Sequence, residues 1–248
     1  RILPALTVVV MATLALGALL LVPSGEQQDL ARSAIATALF VSNEHFRPES
    51  GNYFDGPAEL QPLLHTWSLA VEEQFYLFWP LLLPAFWTLA RRWTRWSAET
   101  AVLFGVAFTS LLSLALSIAL TAIKPSAAFF LMPSRLWELG GGAVVAMVLA
   151  RTGAARLPSF AGATGLAGII AALVLFSSGT RFPGVAALLP VAGTALVIAA
   201  GAQGRAGPAY RLLSSRPMTF TGRISYAWYL WHWPLLAFAR VLDMGRHN

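Results

Sequence analysis

Long apolar blocks separated by short polar joints run the length of the chain, and the blocks are too uniformly apolar to be the one-sided stripes of helices on a soluble core. Leu3 to Val22 supplies about 20 apolar residues, enough to cross a hydrocarbon core of roughly 30 Å, and Pro23, Ser24 and Gly25 end it. Leu30 to Ser42 is apolar over about 13 residues; at ~1.5 Å per residue it reaches ~20 Å, which predicts a re-entrant or interfacial helix. Asn43 to Gln61 is polar, acidic and turn-rich, and Asn52 to Pro57 reads as an ordered loop, either a lid over the bundle or a substrate-contacting segment. A second span is predicted from about His65 to Ala90, with Pro80 and Pro84 expected to kink it. Further spans are predicted at Ala98 to Leu120, Met132 to Ala150, Phe160 to Phe176, Gly184 to Ala200 and Ile224 to Val241. The expected fold class is all-α: a polytopic transmembrane helix bundle of about seven spans plus the short re-entrant or interfacial helix, with no soluble domain.

Composition sharpens this. Hydrophobic residues make up 57% of the chain and charged residues 11%, against roughly 25% charged in soluble domains. The net charge of +6 raises the question of nucleic acid. Its arginines lie in short loops between apolar blocks instead of forming one basic patch, so membrane topology explains them and membrane lipid is the expected surrounding. Absence of cysteine excludes a disulfide framework and thiol chemistry and leaves the compartment open. With Arg1 inside and Leu30 to Ser42 not crossing, one threading gathers Arg1, Arg91, Arg92, Arg95, Arg151, Arg156, Arg205, Arg211, Arg216 and Arg223 on the cytoplasmic side, with the acidic Glu26 to Glu59 segment outside. The chain starts at Arg1 without a methionine or a cleavable signal, and the expectation is a fragment.

Three constellations carry candidate chemistry. The first is His65 to Pro80, where His65, Ser68, Glu72, Phe75, Tyr76 and Trp79 share one helical face. A charged side chain at bilayer depth costs ~2.5 to 3.5 kcal/mol, so Glu72 and Glu73 are expected to face protein or a water-filled cavity. They are read as functional carboxylates; the structural alternative is a pairing with an arginine or backbone donor. His65, with Thr66 and Trp67, is either part of that chemistry or an interfacial anchor.

The second is Arg135 to Gly142, where Arg135 and Glu138 at i, i+3 suit an ion pair and the triple glycine allows close helix approach. A structural clamp is weighed here against substrate contact by Arg135. The third is Ser225 to Pro234, in which Ser225, Trp228, Tyr229 and His232 fall at helical spacing, lining a site or forming an aromatic belt. Metal-ligand spacing such as HExxH, a phosphate loop and a GxSxG elbow are all missing, so no metal site is expected.

At these residues the chain becomes recognisable: PLLHTWSLAVEEQFYLFWPLLL, RLWELGGGA and ISYAWYLWHWPLL resemble acyltransferase family 3, the integral-membrane O-acyltransferases, and most of all the bacterial branch that acetylates lipopolysaccharide O-antigen or other envelope glycans. The resemblance extends over nearly the whole chain, including the RILP start and the NYFDGPAELQPLLHTW run. It implies transfer of an acyl group, usually acetyl, from cytoplasmic acyl-coenzyme A to a hydroxyl of an extracytoplasmic envelope polysaccharide or lipid-linked glycan, by a multi-pass protein of the bacterial inner membrane. Acyl-coenzyme A enters as donor substrate and no bound cofactor is expected. Arg1 looks like the last arginine of the family's RxxR motif, so residues 1–248 are expected to be a partial acyltransferase domain. Its first two spans and main catalytic histidine would precede Arg1, and a fused SGNH domain possible in this branch would lie beyond residue 248.

Physically, a histidine acts in this reading as general base or transient acyl carrier while carboxylates orient and polarise it. His65, Glu72, Glu73 and His232 are the candidate catalytic residues, with Glu72 first for the orienting role. Arg1 would meet coenzyme A phosphates, and Trp67, Ser68, Tyr76, Arg135, Glu138 and Tyr229 are the remaining substrate-binding candidates. Buried charges and helix-breaking residues also suit a glycan transporter or flippase, the rival reading. A non-catalytic scaffold, a third reading, would not need Glu72, Glu73 and His65 together.

Overall fold

A computed structural model describes residues 2–21, 25–47, 60–152, 157–158, 160–202 and 207–247, and among them every regular element is an α-helix. In chain order these are α1 (Ile2–Leu20), α2 (Glu26–Ala38), α3 (Ser42–Phe46), α4 (Thr66–Trp93), α5 (Ala98–Ile123), α6 (Pro125–Phe130), α7 (Met132–Thr152), α8 (Ala161–Leu175), α9 (Leu188–Gly201), α10 (Pro208–Leu213) and α11 (Arg216–His247). The chain forms two compact units, Arg1–Gln74 with Phe220–Asn248, and Phe75–Thr219. The boundaries fall inside α4 and α11, so each of these helices contributes a segment to either unit.

In the first unit α1 buries Leu6, Val9, Thr13 and Gly17 along one stripe, the spacing of a helical face. Leu6 and Val9 form a core with Leu69 of α4 and Leu230 of α11, against which Phe40, Tyr226 and Tyr229 pack. A Cβ at Gly17 would collide with the Leu30 side chain, so glycine there lets α2 close onto α1. The Gln27 amide donates to the carbonyls of Ala18 (3.2 Å) and Leu21 (3.0 Å), which the end of a helix leaves without intrahelical donors. Gln74 donates to the Phe40 carbonyl (2.9 Å) and to Asn43 Oδ1 (2.8 Å), tying α4 to the corner between α2 and α3.

In the second unit α5 packs on α7, and α8 packs on α9. The α8–α9 pair is very close: a Cβ at Gly165 would lie 2.5 Å from the Gly193 carbonyl oxygen, and one at Gly193 would lie 2.7 Å from that of Gly165. Across the α5–α7 contact, Gly140 leaves room for Ser110. Of the three consecutive glycines, Gly140 is the one in tight approach; the positions a Cβ would take at Gly141 and Gly142 are spacious.

Several expectations need correction. The short helix has the expected 13 residues but covers Glu26–Ala38; Glu26 and Asp29 favour the positive end of the helix dipole and draw its start N-terminally. Asn43 to Phe46, expected as the start of the polar loop, forms with Ser42 a further helical turn, Ser42–Phe46. Pro80 and Pro84, where a kink is expected, both lie inside α4. Among the described residues two helices, Ile2–Leu20 and Ala98–Ile123, are long and apolar enough to cross a membrane, so seven comparable spans are not found. α8 and α9, with 15 and 14 residues, reach only ~21 to 23 Å at ~1.5 Å per residue, while charges and prolines dilute the apolar character of α4, α7 and α11.

Candidate functional site

Two side-chain clusters hold most of the candidate residues. In the first unit His65 lies in the turn before α4 and is buried, 3% exposed. Its ring meets those of Tyr229 and His232 edge-on, at centroid distances of 5.2 Å and 5.6 Å. Neither ring nitrogen makes a well-formed hydrogen bond with a described residue; the Leu230 backbone is the polar group beside it. The Tyr229 hydroxyl donates to the His65 carbonyl, and Ser68 Oγ lies 2.8 Å from the same hydroxyl. A phenol has one proton to give, so Ser68 is the donor to Tyr229 and the relay runs Ser68 to Tyr229 to the His65 backbone.

His232 Nδ1 is 2.7 Å from the Tyr229 carbonyl. A carbonyl can only accept, so Nδ1 carries the proton and, in the neutral ring, Nε2 carries the lone pair. Around the cluster the Trp233 indole donates to the Gln61 carbonyl (2.9 Å), and Thr66 pairs with Thr37 of α2 (2.9 Å between hydroxyls), which fixes the chain entering α4. The arrangement offers a proton-accepting imidazole beside aromatic rings and a part-buried hydroxyl relay.

Other candidates from the sequence are placed differently. Trp67 is buried, as a packing residue would be. Glu72 is exposed and Glu73 half-buried: seven residues past His65, Glu72 is carried two turns along α4 and makes no hydrogen bond to the imidazole. Both carboxylates lie within electrostatic reach of Tyr226, whose hydroxyl donates to the Ile2 carbonyl (3.3 Å). Tyr76 is 53% exposed. Trp228 is 62% exposed and Ser225 bonds back to the Gly222 carbonyl, so of the four residues read as one α11 face, Tyr229 and His232 reach the cluster. Arg1 and the Asn52 to Pro57 loop lie outside the described residues.

The second cluster belongs to the second unit. Arg135 Nη2 is 2.9 Å from Glu138 Oε2, both side chains being largely buried. The guanidinium also lies 5.7 Å from the Phe129 ring centroid and 5.5 Å from that of Phe182, within cation–π range. Ser113 of α5 sets the start of α7: its hydroxyl donates to the Pro133 carbonyl (2.6 Å) and accepts from the Trp137 N–H (3.1 Å), the two groups that an uninterrupted helix would join directly. Ser134, beside the arginine, bonds back to the carbonyls of Ala128 (3.0 Å) and Leu131 (2.8 Å). Ser113, Phe129 and Phe182 had not been singled out; the signal for Ser113 was the polar stripe Ser110, Ser113, Ser117 and Thr121 in an otherwise apolar helix, all four buried.

A family model described as an acyltransferase domain matches residues 1–244. The chain is 28% identical over 236 residues to the peptidoglycan O-acetyltransferase OatA of Listeria monocytogenes serovar 1/2a, covering 89% of this chain and 36% of that protein. It is 29% identical to the putative peptidoglycan O-acetyltransferase YrhL of Bacillus subtilis (strain 168), over 86% of this chain and 34% of the relative. To the O-acetyltransferase OatA of Staphylococcus aureus (strain NCTC 8325 / PS 47) it is 30% identical, with 84% and 35% covered. The chain therefore spans about a third of the length of these curated relatives. No solved structure matches it.

Proposed function

The chain belongs to acyltransferase family 3, and from that membership we propose that it is the membrane part of an O-acetyltransferase that passes acetyl from cytoplasmic acyl-coenzyme A to a hydroxyl of a cell-envelope glycan. The relatives' names favour a peptidoglycan-type acceptor over lipopolysaccharide O-antigen. The observation that carries the reading is His65, buried against Tyr229 and His232 with neither ring nitrogen well bonded: an imidazole held in place and left with its chemistry unspent. The acceptor oxygen attacks the acetyl carbonyl carbon while His65 or His232 takes the hydroxyl proton. The carbon–sulfur bond then breaks and that proton goes to the coenzyme A thiolate, giving acetylated glycan and free coenzyme A.

In this reading Trp67, Ser68 and Tyr229 border the acceptor side, Glu72 and Glu73 act on the cluster through their charge across two turns of helix, and Arg1 meets the donor's phosphates. The protein is multi-pass in the bacterial cytoplasmic membrane, the arginine-rich joints inside. Full-length protein in vesicles, given labelled acetyl-coenzyme A on the arginine-loop side and glycan on the other, should place label on glycan hydroxyls. Glycan that crosses the vesicle wall unacetylated would establish the transporter reading instead.

A further inference from the structure

The turn that carries His65 is tied to two helices. From α11, the Trp233 indole reaches the Gln61 carbonyl (2.9 Å) and the Tyr229 hydroxyl that of His65 itself. From α2 comes Thr37, whose hydroxyl lies 2.9 Å from that of Thr66, the residue after His65, both side chains being buried. The Thr37 hydroxyl is also 2.8 Å from the Ser33 carbonyl and the Thr66 hydroxyl 2.8 Å from that of Leu63, so two protons serve three contacts. If both protons went to carbonyls, two lone pairs would face each other in a buried place; one threonine therefore donates across to the other. Neither choice strands an acceptor, because Leu63 keeps the Thr66 N–H (3.0 Å) and Ser33, inside α2, keeps its helical N–H.

The end of α2 is itself held in place. Phe40 has a φ of 54°, the left-handed region, with the Val41 N–H on the Ala36 carbonyl (2.9 Å) and the Phe40 N–H on the Thr37 carbonyl (3.1 Å), a helix ending that ordinarily takes glycine. Such a conformation persists in a bulky residue where the surroundings over-determine it. Here Gln74 of α4 donates to the Phe40 carbonyl, and the Phe40 ring packs on the core that contains Leu69 and Leu230, the chain neighbours of Ser68 and Tyr229. Thr37 thus hangs from a corner that α4 fixes and grips α4 in turn beside His65.

We propose that Thr37 is a positioning residue for the transfer: through Thr66 it holds the His65 backbone so that the imidazole stays against Tyr229 and His232. The assignment rests on the transferase reading above. A reacting group misplaced by ~1 Å can cost ~100-fold in rate, and loss of this one tie should cost about tenfold. Full-length protein in lipid nanodiscs is assayed with labelled acetyl-coenzyme A and glycan, with rates divided by folded protein. Thr37→Val, which keeps the shape and removes the hydroxyl, should lower kcat about tenfold with KM for acetyl-coenzyme A unchanged, and Thr37→Ser should restore it. Diethyl pyrocarbonate labelling of His65, located by mass spectrometry, reads the imidazole directly: slow in the wild type and in Thr37→Ser, several-fold faster in Thr37→Val. A folded Thr37→Val with wild-type kcat, a loss carried by KM alone, wild-type labelling at His65, or no rescue by Thr37→Ser overturns the proposal. Should Thr37→Val misfold, Gln74→Met, which frees the same corner from α4, decides on the same two measurements. A wild type that transfers no acetyl would sink the transferase reading, while the labelling would still decide whether Thr37 holds the imidazole.

Discussion

Ser68 gives its proton to Tyr229, 161 residues away in sequence, and Tyr229 passes its own to the carbonyl of His65. Two side chains thereby hold the backbone from which the buried imidazole hangs. Tyr229→Phe removes an acceptor from Ser68 and a donor from His65, whose carbonyl keeps the Ser68 N–H (3.4 Å), and should cost ~1 to 3 kcal/mol of stability, two hydrogen bonds at ~0.5 to 1.5 kcal/mol each. Ser68→Ala leaves the Tyr229 to His65 bond in place and should cost ~0.5 to 1.5 kcal/mol. The two residues are in contact, so the double variant should lose less than the sum. Denaturant titration of the full-length protein in detergent reads all three; strict additivity would mean the relay is not formed.

Gly165 and Gly193 face each other's backbone across α8 and α9. Alanine at either position pushes a methyl group into a carbonyl oxygen, which cannot swing aside as a side chain tip can, and overpacking of this kind costs ~1 to 3 kcal/mol. Gly222 of α11 has open space around it. Gly222→Ala should be neutral or stabilising by up to ~1 kcal/mol, since alanine also favours the helix. Thermal unfolding of the three variants should rank them in that order, with no difference between them counting against the close approach.

The helices that were easiest to read in the sequence are those whose composition suits lipid along their length: α1 and α5, Ile2–Leu20 and Ala98–Ile123, are the two long apolar helices among the described residues. His65, Ser68, Tyr229 and His232 were legible as candidates because polar groups in apolar blocks stand out. Their pairing was not, because helical periodicity orders residues on one helix and says nothing of which face another helix presents. Glu72 shows the limit most clearly: it shares His65's face by a count at ~100° per residue, yet seven residues of rise carry it beyond hydrogen-bond reach. Gly165 and Gly193 escaped for a similar reason, since each is unremarkable in its own helix and acquires meaning from the other.

The chain has no cysteine, so topology can be read with single introduced thiols. Cysteine at Ser178, exposed in the joint between α8 and α9, should react with an impermeant maleimide added outside intact cells. Cysteine at Thr94, after the Arg91 and Arg92 end of α4, should react only once the membrane is opened. The reverse pattern would invert the bundle.

Breaking the Arg135–Glu138 pair from one side strands a largely buried charge. Arg135→Met or Glu138→Leu alone should destabilise the protein by ~3 to 5 kcal/mol, whereas both together should recover most of that loss because a buried pair replaced by apolar groups is often neutral. Denaturant midpoints of the three variants test this. If the double variant is no better than either single one, the pair is not the partner relationship that holds α7.

His232 offers a cleaner division between structure and chemistry than any other residue of the first cluster. Its Nδ1–H is occupied by the Tyr229 carbonyl, so a proton taken from an acceptor hydroxyl would go to Nε2. His232→Asn places an amide N–H near the Nδ1 position and deletes Nε2, so it should fold normally and keep the bond to Tyr229. His65→Phe keeps an aromatic ring against Tyr229 and His232 while removing both nitrogens. The variant that removes the working base should lower acetyl transfer by ~100 to 10,000-fold, the usual contribution of a positioned base, while the other should lose far less. Transfer of labelled acetyl from acetyl-coenzyme A to glycan, measured at matched expression in full-length protein, distinguishes them. Normal rates in both variants would place the proton acceptor outside this cluster and leave the hydroxyl relay with a structural role alone.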